Sequence, residues 1–486
     1  MKRQRGRGRA TLACMAAMCA VAALPGQSWA AGEPNPYTFD SAAKPVQGTA
    51  SNTAGPPLNA GSTYKDTIKP REKRYYRIDL DGTTNAYISA VVVPKLATKV
   101  AYSDKLTVSI EDRSGAKCSD NYAQFGSAEY ARPVAAYADR TIEKESSNCQ
   151  EAGTYYVLLE RTSDATSTPE AWDVEMRFAS EPGLKAAAPT APPETWPSAS
   201  PAAPAGGPEK RPGGTSYTDA TSLKQGEWQD EITPGQTLFY RVPVNWGQQI
   251  FASADLGTST AADSAQSVSQ AFVLSLHNPA RGYVNNNVSV YYDGKQKSVA
   301  LDPLPPVAYE NRYATDSAAS AMRFAGWYYL SVTLNPKIAE EYGNKAIPLT
   351  LRVNIEGEAS HAPAYAGPAG DFEVTQGDQE AADSGKSAPE AAKSDTMKLV
   401  AAAGIGAGTV LVLGLGAWTL LARRRTAAVP AASAQSSAQS SAQGPAQGQM
   451  PGQPPGQVSM YGQTPGQGQD QAPGQAPGQY GPPPAW

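Results

Sequence analysis

Two stretches of this chain run through the same succession of short apolar blocks in the same order, and that duplication limits the folds open to it. Tyr64-Lys65-Asp66-Thr67-Ile68-Lys69-Pro70 aligns with Trp228-Gln229-Asp230-Glu231-Ile232-Thr233-Pro234. Tyr75-Tyr76-Arg77-Ile78 meets Phe239-Tyr240-Arg241-Val242, and Tyr87-Ile88-Ser89-Ala90 meets Phe251-Ala252-Ser253-Ala254, at the same offset of 164 positions each time. Leu106-Thr107-Val108-Ser109-Ile110 then matches Phe272-Val273-Leu274-Ser275-Leu276. Late in each stretch Gly153-Thr154-Tyr155-Tyr156-Val157 matches Gly326-Trp327-Tyr328-Tyr329-Leu330, and Val174 to Phe178 matches Leu349 to Val353. Insertions fall between blocks and not within them, as in an internal duplication.

Most blocks alternate. Leu106, Val108 and Ile110 share one parity while Thr107 and Ser109 take the other, and Val174, Met176 and Phe178 repeat the pattern. A period of two gives a strand with one buried face. Pro-Gly-Gln, Asp-Gly and Arg-Ser-Gly turn signals bound the blocks. Short strands, frequent turns and no amphipathic helix predict an all-β chain with two antiparallel β-sandwiches, over 62–180 and 226–356.

The order Ile-x-Pro, Tyr-Tyr-Arg-Ile-x-Leu, Leu-Thr-Val-Ser-Ile-Glu-Asp-Arg-Ser-Gly and Gly-Thr-Tyr-Tyr-Val-Leu-Leu resembles the bacterial pre-peptidase C-terminal (PPC) domain. That resemblance implies a jelly-roll-like sandwich in each copy. It also implies an accessory role, since such domains accompany secreted peptidases and some bind calcium or matrix polymers. Similar sandwiches occur in actinobacterial single-pass surface proteins. The acidic residues that the family often places before its Tyr-x-[Ile/Val] strand are replaced here by Lys73-Arg74 and Thr237-Leu238.

The ends predict export and tethering. Lys2, Arg3, Arg5, Arg7 and Arg9 precede an apolar run from Ala10 to Leu24, and Ser28-Trp29-Ala30 supplies small residues for cleavage. This is the pattern of a secretory signal peptide over 1–30. Leu399 to Ala422 carries no charged side chain and is long enough for a transmembrane helix. Arg423, Arg424 and Arg425 follow it and orient the chain with its bulk outside and its tail in the cytoplasm. Ala401, Gly404 and Gly408 place small residues on one helix face, which makes a homodimer through this helix a candidate.

Three stretches read as unstructured: a lead-in at 31–61, a Pro-rich linker at 181–225 where recurring Pro prevents strand pairing, and an acidic stalk at 357–398. The tail, 423–486, repeats Pro-Gly-Gln and offers almost nothing to bury, so it reads as disordered. Its Tyr461, Tyr480 and Trp486 suit a cytoplasmic partner, against the alternative of a solvated extension.

After signal removal two cysteines remain, Cys118 and Cys149. Two cysteines in an exported chain without neighbouring histidines read as a disulfide and not a metal site. The formal net charge of −4 shows no basic patch for nucleic acid. Only His277 and His361 are present, the first at an Asn-Pro turn and read as solvated, the second in the stalk. No serine-hydrolase elbow, zinc-protease pair or phosphate loop occurs outside the membrane segment. Asp104, Asp112 and Asp120 carry the oxygen donors calcium prefers, but their spacing matches no calcium loop, so no cofactor is expected. Tyr122, Tyr130 and Tyr137 crowd the first copy and Tyr283, Tyr291, Tyr292, Tyr309 and Tyr313 the second. Cross-strand packing explains such enrichment more simply than an aromatic surface for glycan or peptide.

The sequence therefore predicts a non-catalytic, membrane-anchored surface protein with tandem binding or adhesion modules for an envelope polymer or protein. The alternatives are an accessory subunit of a secreted peptidase or envelope complex, and a hydrolase built on separated carboxylates.

Overall fold

The computed structural model describes residues 34–143, 148–260, 265–288, 291–394 and 412–421. The predicted signal peptide, most of the segment predicted to cross a membrane, Ala401, Gly404, Gly408, Arg423, Arg424, Arg425 and the Pro-Gly-Gln tail lie outside the described residues.

The first sandwich holds β1 (Lys44–Pro45), β2 (Thr63–Ile68), β3 (Lys73–Leu80), β4 (Asn85–Val93), β5 (Lys105–Glu111), β6 (Lys117–Gln124), β7 (Val134–Arg140), β8 (Gly153–Thr162) and β9 (Trp172–Glu181). Its sheets run β1-β2-β9-β4-β7 and β3-β8-β5-β6. The second holds β10 (Glu209–Lys210), β11 (Thr221–Ser222), β12 (Gly226–Ile232), β13 (Thr237–Val244), β14 (Gln249–Leu256), β15 (Val268–Ser269), β16 (Phe272–His277), β17 (Tyr283–Val288), β18 (Tyr291–Tyr292), β19 (Lys297–Ala300), β20 (Gly326–Leu334) and β21 (Ile347–Glu356). Its sheets run β10-β12-β21-β14-β19 and β11-β13-β20-β16-β17, with β15 and β18 forming a short ribbon. The two strand orders superimpose term by term, apart from β11 and the ribbon, so the duplication extends to topology. Pairing is antiparallel except at the edge pairs β1–β2, β10–β12 and β11–β13. The alternating residues behave as their period predicts: Leu106, Val108, Ile110, Val174 and Met176 lie in the first core. Cys118 and Cys149 are disulfide-bonded.

Each unit begins earlier than its apolar blocks suggest. Asp66 Oδ2 accepts hydrogen bonds from the Gly48 amide and the Tyr76 hydroxyl, both 2.7 Å. Asp230 Oδ2 accepts from the Gly213 amide at 2.7 Å and the Tyr240 hydroxyl at 2.6 Å. Each tyrosine ring lies over its glycine, where a Cβ would come within 2.7 Å of Tyr76 or 2.8 Å of Tyr240. Side chains are excluded there, so two glycines in proline-rich surroundings are packing positions.

Three expectations are corrected accordingly. The lead-in is ordered from residue 34 and contributes β1, and its Leu58 enters the first core. The Pro-rich linker contributes β10 and β11 to the second sandwich. Proline lacks an N–H but keeps its carbonyl, and the linker docks through side-chain hydrogen bonds to backbone carbonyls. Trp196 donates to the Pro303 carbonyl, Gln249 donates to the Pro197 carbonyl and Asn354 donates to the Ala202 carbonyl. The acidic stretch after β21 is no free stalk between 365 and 388. Tyr365 and Phe372 are buried, and α1 (Gln376–Ser384) starts on a capping box between Thr375 and Asp378. Its acids fail to keep it in water because Asp371 pairs with Arg177 at 2.6 Å and Asp378 accepts from Trp327 Nε1 at 2.8 Å.

The sandwiches are packed against one another. Strand β4 is buried on both faces from Asn85 to Val92, and β13 nearly so. Tyr37, Val91 and Ala135 from the first unit meet Tyr217, Ala220 and Phe239 from the second. Tyr87 and Ala179 meet Ala280, Phe324 and Phe372.

Residues 412–421 are helical, and Val412, Leu413, Leu415, Trp418, Leu420 and Leu421 are exposed. Among the described residues no helix is long and apolar enough to cross a membrane.

Candidate binding cleft between the sandwiches

The outer face of β9 carries Glu175, Arg177 and Glu181, positions that strand alternation assigns to solvent. The second sandwich covers them instead. Glu175, fully buried, takes the Arg281 guanidinium at 2.7 Å, the Tyr37 hydroxyl at 3.2 Å and the Asp40 amide at 3.0 Å. Glu181 is likewise fully buried and accepts from Asn85 and Tyr87 of the first sandwich, Arg312 of the second, and Tyr365 of the segment after it. The Arg312 contact is 2.8 Å, as is that of Tyr365. Burial alone would raise the Glu181 pKa. The Arg312 charge, with the hydrogen bonds of Arg312, Asn85 and Tyr365, outweighs burial and holds it below the usual range. Removing either partner of such a buried pair would leave an uncompensated charge, so each carboxylate depends on the docked arrangement.

Beside this welded face the two units diverge, and a cleft of about 810 Å³ opens between them. Its first wall comes from β6, the following turn and β7, with Tyr122, Ser127 and Tyr137. Its second comes from β16, β17 and β20, with Ser275, His277, Tyr283, Asn286 and Ser331. Tyr217 and Phe239 belong to the lining, and Gln270 Nε2 donates to Ser127 Oγ at 2.5 Å across the two units. Gly282 lies so close to the Tyr137 ring that a Cβ would come within 2.6 Å of it, which brings the β16–β17 turn against the first sandwich.

His277 is not the solvated turn residue its Asn-Pro context suggests. It is 8% exposed, with the rings of Tyr217 and Tyr283 edge-on at 5.4 and 6.0 Å. Burial pushes its pKa down to about 4, so it is neutral at physiological pH. Its Nδ1 is buried and has no hydrogen-bond partner.

The tyrosine-rich segments divide between packing and surface. Tyr130 and Tyr292 are buried, whereas Tyr122, Tyr283, Tyr291 and Tyr313 are exposed. The three aspartates considered for calcium do not converge. Asp104 is buried and accepts from the Asp164 amide, Asp112 caps its own turn through Ser114 and Ala116, and Asp120 pairs with Lys117. Among the described residues no group of three or more His, Cys, Asp or Glu could hold a metal ion. His361 is exposed. A second cavity, about 400 Å³, contains Arg177, Arg241 and Arg281, but all three are engaged: with Asp371, with Ser222, and with Glu175.

No family model matches the chain, and no curated protein matches it. Similar solved structures include the CUB1-EGF-CUB2 region of human MASP-1/3, at 8% identity and a TM-score of 0.14, covering 60% of this chain and 99% of that one. The tandem CBM22 domains of Paenibacillus barcinonensis Xyn10C share 12% identity at a TM-score of 0.15, covering 66% and 100%. The broad bean stain virus structure shares 7% at a TM-score of 0.17, covering 70% and 98%. Likeness at this level carries no argument about function.

The cleft residues were present in the sequence as separate tyrosines, one histidine and scattered serines. The only hint of an interface was the unbroken apolar run Val91-Val92-Val93, which departs from alternation as a strand buried on both faces does.

Proposed function

We propose that this chain is an exported, membrane-tethered, non-catalytic binding protein whose two PPC-like sandwiches act as one receptor body. The observation that carries the reading is the cleft walled by both copies and braced by Glu175–Arg281 and Glu181–Arg312. Flexibly tethered modules would bind independently. Here neither copy forms the cleft alone, so binding requires the docked pair. Partly exposed aromatics beside polar groups are the usual makings of a recognition surface.

The tether reading rests on Leu399 to Ala422 and the three arginines after it. Within 412–421 apolar side chains are exposed all round, and the Thr419 hydroxyl donates back to the Leu415 and Gly416 carbonyls of its own helix. A helix that satisfies its own polar groups suits a hydrocarbon surrounding. Homodimerisation through Ala401, Gly404 and Gly408, and a cytoplasmic partner for the tail, remain parts of this proposal.

The test is retention of the full chain on immobilised cell-envelope polysaccharide and envelope protein fractions. Retention should be lost in the double variant Tyr122→Ala/Tyr283→Ala. Retention that ignores those substitutions refutes the cleft, and no retention on any fraction refutes the binding role. Protease added to intact cells should digest both sandwiches and spare the tail; a digested tail reverses the orientation.

A further inference from the structure

We infer that the inter-sandwich cleft binds a neutral oligosaccharide chain, stacked between Tyr122 and Tyr283 and hydrogen-bonded at the His277 wall. The inference rests on the cleft being the binding site and adds the chemistry of its occupant.

Charge is the first discriminator. Among the described residues no Asp or Glu lines the cleft, and Arg132 is its one charged residue. The Arg132 guanidinium is already taken up by the carbonyls of Phe125 at 2.8 Å and Tyr130 at 3.3 Å, with its face against both rings. The wall therefore offers no acid to a cationic ligand, and two guanidinium nitrogens of Arg132 are already committed to carbonyls and not to an anion. A purely apolar ligand fits no better. It would cover the hydroxyls of Ser275 and Ser331 and the Asn286 amide without returning their hydrogen bonds, which is costly.

A neutral, hydroxyl-rich ligand meets both conditions, and two further features favour a sugar. Tyr122 is 55% exposed on the first wall and Tyr283 is 47% exposed on the second. Each offers ring surface to the cleft at little entropic cost, because tyrosine has few rotatable bonds, and the Lys105 ammonium lies over the Tyr122 ring at 4.9 Å from its centroid. A pyranose ring offers an apolar C–H face to such a ring and a rim of hydroxyls to the polar wall. The second feature is His277, which lines that wall and whose Nδ1 is buried and unpartnered. A neutral imidazole nitrogen can accept from a hydroxyl or donate to one, according to its tautomer, and a sugar hydroxyl serves in either case. Lacking such a partner, the nitrogen pays the penalty of a buried, unsatisfied polar atom.

The test is isothermal titration of the full chain, held in a sugar-free zwitterionic detergent, with cellohexaose, maltohexaose, mannohexaose and chitohexaose. A hexagalacturonate is the charged arm and an uncharged Ser/Asn/Gly hexapeptide is the peptide arm. At least one neutral hexaose should bind saturably, and Tyr122→Ala and Tyr283→Ala should each weaken it about tenfold or more. Tyr313→Ala, exposed but away from the cleft, should leave binding unchanged. Binding of the hexapeptide or the galacturonate in place of the neutral sugars, still sensitive to Tyr122 and Tyr283, overturns the sugar and keeps the cleft. Binding insensitive to both tyrosines overturns the cleft itself. Failure of every neutral hexaose to bind overturns the inference.

Discussion

Arg312→Met should uncouple the two sandwiches, and the cost can be worked from the contacts. Glu181 accepts five hydrogen bonds: one each from Asn85, Tyr87 and Tyr365, and two from Arg312. Methionine would fill much of the arginine volume but remove two donors and the pair's positive charge. A buried carboxylate would then be left with three neutral donors. Breaking a buried pair in this one-sided way costs about 3–5 kcal/mol. Glu181→Gln combined with Arg312→Met removes both charges and should recover most of that loss. Calorimetry at pH 7 is the assay, and the expected signature is a transition that splits as the sandwiches cease to unfold together. The same pair sets an acid limit. The Glu181 pKa is held below its unfolded value of about 4.3, so its stabilising contribution is complete above that value. It is lost as pH falls through the lower, folded value. A loss under about 1 kcal/mol for Arg312→Met would refute the reasoning, since buried pairs cost more than exposed ones. An equal loss in the Glu181→Gln background would refute it as well.

Other consequences can be checked on the same protein. Because the His277 pKa is pushed down to about 4, the unfolded chain takes up its proton first as pH falls from about 6.5. Stability should therefore drop by up to about 3 kcal/mol between those values, and His277→Phe should flatten that slope in urea denaturation midpoints. Replacing Cys118 and Cys149 by alanine opens a loop with a sequence separation of 31. That should cost about 3–4 kcal/mol, and reductant should lower the melting temperature of the parent chain to match. Phe372 is fully buried against Tyr87 and Phe324. Phe372→Ala should cost about 3–5 kcal/mol and expose the segment after β21 to limited proteolysis.

Much of the fold was legible because its causes are local. Alternation in 106–110 and 174–178 reports a strand with one dry face, and turn residues mark where it ends. Block order then revealed the duplication, which strand order repeats. The disulfide followed from counting cysteines in a chain whose first residues predict export. The units' first segments were harder to read. Gly48 and Gly213 sit in proline-rich stretches that resemble linkers, and only the tyrosine rings over them show that those stretches are packed.

By itself the sequence determined two β-sandwiches of one design, a cysteine pair joined within the first, and a charge pattern around Leu399 to Ala422 that predicts an orientation. Only the tertiary structure decided what covers the polar face of β9. Periodicity records which side chains avoid water in their own strand. It does not record that Glu181 will meet Arg312, 131 positions away, or that Tyr365 will join them. The cleft has the same origin. Tyr122 and Tyr283 come from separate copies, and their shared cleft depends on how two finished sandwiches dock, a long-range event that no local pattern encodes.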